Sequence, residues 1–92
     1  MREHTIERRL KAAIEADGDL CWKLVSPGLD GVPDRICLKD GKVVFVEVKA
    51  PGRKLRPLQK RRIRQLTDQG FTVLVIDQPD GIEEVRHALS AA

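Results

Sequence analysis

"GVPDRICLKDGKVVFVEVKAPG", residues 31–52, decides how the rest of the chain is read. "DRICL" (34–38) and "KVVFVEVK" (42–49) are apolar runs of strand length. The "KDG" between them signals a hairpin, because Asp-Gly tolerates positive φ. Side chains alternate along a strand, so Val44, Val46 and Val48 point to one face, the main core, and Glu47 and Lys49 to the other. The hairpin lays its strands side by side and brings Asp34, directly after Pro33, near Glu47. Two carboxylates held this close repel unless positive charge lies between them. Oxygen ligands at that separation suit a hard divalent cation, Mg²⁺ or Mn²⁺, and Lys49 on the same face reaches a bound water or a phosphate oxygen. A cross-strand salt bridge between Lys49 and either acid is the plainer alternative, and for an isolated acid-Val-Lys triplet it is the commoner one.

Working outward, residues 3–17 read as a helix: Ile6, Leu10, Ala13 and Ile14 form an apolar stripe, Thr5 or an earlier residue caps it, and Gly18 stops it. "LCWKLV" (20–25) is a short strand, and "SPGLDGVP" (26–33) is turn chemistry. Pro57 sits where a helix accepts it in the first turn, so 57–69 is a helix ended by Gly70. "FTVLVID" (71–77) is a buried strand, and 80–91 a closing helix with Ile82, Val85 and Leu89 inward. The order αβββαβα predicts an α/β sandwich with a mixed sheet, its last strand parallel to a neighbour through a right-handed crossover.

Bulk properties narrow the function. The 92 residues make one domain, 1–92, and 41% hydrophobic with 34% charged residues is a globular balance. No apolar run is long enough to span a bilayer, and "MREHTIERRL" is too charged for a secretory signal, so an intracellular, cytoplasmic protein is expected. Cys21 and Cys37 are then expected as free thiols, and two Cys and two His far apart give no zinc spacing. The net charge of +3 is modest, but "KAPGRKLRPLQKRRIR" (49–64) contains no acid. Such a basic block reads as a contact for a polyanion, most simply a nucleic-acid backbone; a solvated helix face is the alternative.

"PD" at 33–34 followed by "EVK" at 47–49 after an apolar strand resembles the PD-(D/E)XK nuclease signature. The longer run "KLVSPGLDGVPDRICL…GKVVFVEVKAPGRKLRPLQKRRIRQL…GFTVLVID" is similar to a stand-alone VRR-NUC domain, the virus-type replication-repair nuclease family. The resemblance covers nearly the whole chain and implies a restriction-endonuclease-like core that cleaves DNA phosphodiesters with Mg²⁺ or Mn²⁺. It implies Asp34 and Glu47 as metal ligands, with the Val48 carbonyl as a further one. Lys49 would orient or deprotonate the attacking water, with Gln59 of "RPLQ" beside it. On the second helix Gln59 shares a face with Ile63 and Leu66, which turns it toward the sheet. The family also uses an acid from the first helix, which the resemblance of "ERRLKAAIEADG" to junction-cleaving nucleases assigns to Glu7, with Glu3 of the "E-x-x-I" pattern as the alternative.

Lys23 and Ser26 match polar positions of the family run and are expected to grip DNA phosphates, as are Arg53, Lys54, Arg56 and Lys60. Trp22 is expected to pack in the core or between subunits rather than stack on a base, and His4 and His87 to lie on the surface. So small a domain contacts phosphates, which position DNA without specifying sequence, so recognition of DNA shape is expected. Stand-alone members of the family resemble Holliday-junction resolvases. That implies a homodimer presenting two sites to branched or junction DNA, and a phage or mobile-element origin. The alternatives are a flap- or nick-directed or relaxed-specificity nuclease, a non-catalytic DNA-binding subunit, or a protein-interaction module.

Overall fold

The computed structural model describes residues 1–91, which form α1 (Glu3–Ala16), β1 (Leu20–Lys23), β2 (Arg35–Lys39), β3 (Lys42–Val48), α2 (Pro57–Asp68), β4 (Thr72–Ile76) and α3 (Gly81–Ser90). The expected αβββαβα order is the observed one. The four strands make one sheet in the order β1-β2-β3-β4, antiparallel at the first two pairings and parallel at the last. Asp40 (φ 47°) and Gly41 (φ 81°) both lie in the left-handed region, so the two-residue turn between β2 and β3 matches the strand twist. This fixes the register, with Arg35 opposite Val46 and Cys37 opposite Val44.

The main core occupies one face of the sheet. Ile6, Leu10 and Ile14 of α1 and Val85 and Leu89 of α3 pack there against Val44, Val46 and Val48, all buried. Each such side chain contributes about 1.5–3 kcal/mol by leaving water. Cys21 and Cys37 belong to the same layer as free, buried thiols with sulfurs 3.7 Å apart. On the opposite face α2 packs on β4, and Phe45 meets Phe71 edge to face at 5.6 Å. Arg86 of α3 pairs with Glu83 on its own helix and with Asp17 at the end of α1, and so ties the two helices together.

Most boundaries shift by one or two residues: β1 ends at Lys23 rather than Val25 and β2 begins at Arg35 rather than Asp34, whereas α1 starts at Glu3 as expected, after an N-cap Arg2 that makes no side-chain cap bond. The Leu24 amide still bonds the Asp34 carbonyl at 2.9 Å, but beyond it Pro27 has no N–H to offer and the chain turns away. Asp34 is thereby left just outside the ladder, free to aim its side chain.

That loop is pressed against α2. Gly31 (φ 85°) passes so close that a Cβ there would lie 2.9 Å from Leu58 Cγ, and Arg62 Nε donates to the Asp30 carbonyl at 2.8 Å. The loop before β2, the C-terminal ends of β3 and β4, and the first turn of α2 therefore meet at one end of the sheet. No helix is long and apolar enough to cross a membrane among the described residues.

Candidate active site

Glu47 is the anomaly at that end of the sheet. It stands on the α2 face of a central strand, between Val46 and Val48, with only 1% of its surface exposed. Its Oε2 is buried without a hydrogen-bond partner. Burial first, then the hydrogen bonding and charge of neighbouring Asp34, push its carboxyl up to about 8; Lys49 opposes this and Glu3 adds to it. Asp34 lies one step beyond the Arg35–Val46 pair in the hairpin register, and its Oδ2 accepts the Val48 amide hydrogen at 2.8 Å. The two carboxylates are neighbours on the same face of the sheet.

Lys49 extends from the end of β3, where its amide bonds the Ile76 carbonyl of β4 at 2.9 Å. Its ammonium donates to Gln59 Oε1 at 3.3 Å. The same oxygen accepts the Arg56 amide at 2.9 Å, so one buried side chain caps α2 and holds Lys49. The bond from Gln59 back to the cap residue could have been read from its spacing three residues after Arg56.

The first-helix acids part company. Glu7 Oε1 accepts from Lys23 Nζ at 2.8 Å and from Arg35 Nε at 2.9 Å, on the core face of the sheet. Burial opposes its ionisation, yet the bonds and charges of Lys23 and Arg35 prevail and hold it below the ordinary carboxylate range. Glu3, exposed at the helix start, is the one whose charge acts on Glu47. Arg35 had no role in the sequence reading; its alternation with Asp34 along the strand is the signal that puts it on the opposite face.

Among the cations, Lys23 is exposed but engaged by Glu7, and Ser26 is half-buried in the loop after β1. Arg53, Lys54, Arg56, Lys60, Arg61 and Arg64 are exposed, and among the described residues none pairs with an acid. Arg53, Lys54 and Arg56 lie in the loop from Lys49 to α2 and Lys60 in the first turn of α2, at the end of the sheet that carries Asp34, Glu47 and Lys49. His4 and His87 are exposed. Of the two places expected for Trp22, the core and a contact between subunits, the core is excluded: it is 58% exposed.

Among the described residues no three His, Cys, Asp or Glu side chains converge into a ready-made cage. Asp34 and Glu47 nevertheless fit a hard divalent cation, because both offer oxygens and the orphaned Oε2 lacks any other partner. Two carboxylates are the usual protein share of a Mg²⁺ site, water and substrate phosphate supplying the rest. Lys49, whose charge acts on Glu47, and Gln59, which holds its ammonium, complete this end of the sheet.

Comparison with known proteins agrees with this fold. The VRR-NUC domain family model matches residues 2–78. The chain is 44% identical over 81 residues to "Putative nuclease p44" of Acyrthosiphon pisum secondary endosymbiont phage 1, covering 87% of each. A solved structure described as a VRR_NUC domain superposes with a TM-score of 0.84 at 29% identity, covering 92% of this chain and 94% of that one.

Proposed function

The chain belongs to the VRR-NUC domain family, and from that premise we propose that it is a divalent-cation-dependent endonuclease that hydrolyses phosphodiester bonds in branched DNA as a homodimer. The observation that carries the reading is the buried, unpartnered Glu47 Oε2 beside Asp34. An unpaired polar atom costs free energy, and a cation held by the two acids, with the Val48 carbonyl as a further oxygen, would remove that cost.

When bound, such a cation makes water a better nucleophile near neutral pH and offsets the charge of the phosphate under attack. The remaining work belongs to the chain's own groups. Lys49 keeps one N–H on Gln59 Oε1, which leaves its other two for the attacking water and a non-bridging phosphate oxygen. Its positive charge strengthens these contacts as negative charge gathers on phosphorus. Gln59 fixes where that ammonium points, because the same amide oxygen is anchored to the α2 backbone. Val48 binds Asp34 through its amide hydrogen and so holds the acid beside Glu47.

The unpaired cations Arg53, Lys54, Arg56 and Lys60 would follow the phosphates on either side of the cut, which sets position rather than sequence. Two copies about a twofold axis would offer two such sites to a symmetric four-way junction.

The test is one set of labelled substrates, namely four-way junction, flap, single strand and plain duplex, each with Mg²⁺, Mn²⁺ or chelator. The expected result is paired cuts in the junction, lost in chelator and in Lys49→Ala. Cleavage that persists in chelator refutes the cation-dependent mechanism. Binding of every substrate without a cut supports a non-catalytic DNA-binding subunit. A monomer in sedimentation with and without junction DNA rules out the paired cut.

A further inference from the structure

Trp22 presents its indole where no core claims it. In register it lies opposite Ile36, which lies opposite Phe45, so it belongs to the face that carries Glu47. α2 packs on that face chiefly over β4, and Trp22 on the outer strand stays 58% exposed, with Leu20 beside it at 45%. The other two aromatic rings, Phe45 and Phe71, are occupied with each other. Two residues farther along the same face, Leu24 lines an apolar cleft of about 120 Å³ with Leu29, Pro33 and Phe45. Two strand spacings and two residue rises separate Trp22 from Glu47, roughly 12 Å between their Cα atoms. That is the span of about four stacked nucleotides at 3.4 Å each.

We propose that Trp22 is a stacking platform for an unpaired nucleobase close to the cut, and so a determinant of preference for branched over plain duplex DNA. This rests on the nuclease reading and adds to it the feature of DNA that is recognised. A flat, exposed aromatic surface on the sheet face that carries Glu47, in a chain of net charge +3, fits a nucleobase on a polyanionic backbone better than it fits a wholly apolar partner. In continuous duplex each base has both faces covered by its neighbours. A flap or a branch point offers unpaired bases with a free face, whereas a blunt duplex offers no unpaired base. Stacking is indifferent to base identity, so the platform selects structure and not sequence.

The chain has one Trp and no Tyr, so its emission reports Trp22 alone. The experiment titrates the full chain, in chelator to prevent cutting, with a flap duplex and with a blunt duplex of equal length, following emission and DNA anisotropy together. Quenching by the flap but not by the blunt duplex is expected. Trp22→Ala should weaken flap binding roughly 5- to 150-fold with little effect on the blunt duplex, and Trp22→Phe should keep most of the preference. Flap binding without quenching, or a Trp22→Ala protein with unchanged preference, overturns the platform while leaving the nuclease reading intact. Emission that changes with protein concentration alone, together with a lighter species for Trp22→Ala in sedimentation, assigns the indole to a second copy and overturns it too. Absence of any DNA binding by the unaltered chain overturns both.

Discussion

Asp34 Oδ2 accepts the Val48 amide hydrogen at 2.8 Å, so an acid ahead of one strand is fastened to the backbone of the next. The bond places the carboxylate beside Glu47 and also satisfies a buried N–H that β4 does not use. Structure and site are served by the same pair of atoms.

Replacing that acid should separate the two roles. Asp34→Asn retains an acceptor oxygen and should fold with little loss, whereas Asp34→Ala strands the Val48 amide and should lose about 1–3 kcal/mol. Both should lose DNA cleavage. Denaturant unfolding and a cleavage assay on the two variants check this; equal stability of Asn and Ala would show that the bond contributes nothing.

Glu47 should make stability depend on pH in a direction opposite to that of ordinary carboxylates. Its folded-state pKa is raised to about 8 from 4.5, chiefly by burial. The folded protein therefore binds more protons than the unfolded chain between those values. Its contribution is complete below pH 4.5 and is lost as pH rises through about 8. In metal-free buffer Tm should fall across this window. Glu47→Gln should flatten the fall and raise Tm at pH 8 by roughly 5 °C or more. Added Mg²⁺ should restore Tm of the unaltered chain but not of the variant.

The first-helix acids should split by phenotype. Glu7 binds two cations on a largely buried side chain, so Glu7→Gln should cost about 1–3 kcal/mol. Because its pKa is held down, that contribution is present above the unfolded value and lost as pH falls through the folded one. Glu3→Gln, at an exposed helix start, should leave Tm unchanged and slow cleavage. Thermal melts beside cleavage rates decide it, and the reverse pattern would return Glu7 to the chemistry.

Gln59→Ala should release Lys49 and remove a bond at the start of α2. The stability loss should be about 1 kcal/mol, as for other lost caps. Cleavage should fall more steeply, about tenfold or beyond, in kcat rather than in DNA affinity. A fall in affinity alone would mean that Gln59 grips DNA instead of holding the ammonium.

If the exposed cations follow phosphates, the slope of log affinity against log salt should shrink by about one for each removed contact. Arg53→Ala and Lys54→Ala, measured by anisotropy from low to moderate salt, should each show this without changing which DNA structure is preferred.

Much of this was legible in the order of residues. Asp40-Gly41 dictates a tight turn, and that turn fixes which side of β3 carries Val44, Val46 and Val48 and which carries Glu47. The apolar stripes of α1 and α3 lie where their spacing puts them. Gln59 points at the sheet for the same reason. What stayed hidden depended on partners distant in sequence. Glu3 and Glu7 are one turn apart on one helix, and only Lys23 and Arg35, arriving from two strands, tell them apart. Strand alternation gives the face of Trp22 but cannot say how far a helix will extend over the sheet.

Gly31 shows how far the demands of a reaction can spread. Its lack of a side chain lets the loop lie flush on Leu58, the residue before Gln59. Any larger residue there would act as a wedge, prising the helix from its seat and drawing the amide away from the ammonium. A lesion that touches neither acid nor lysine could thus silence the protein, and closeness to the reacting atoms is a poor measure of what the chain can spare.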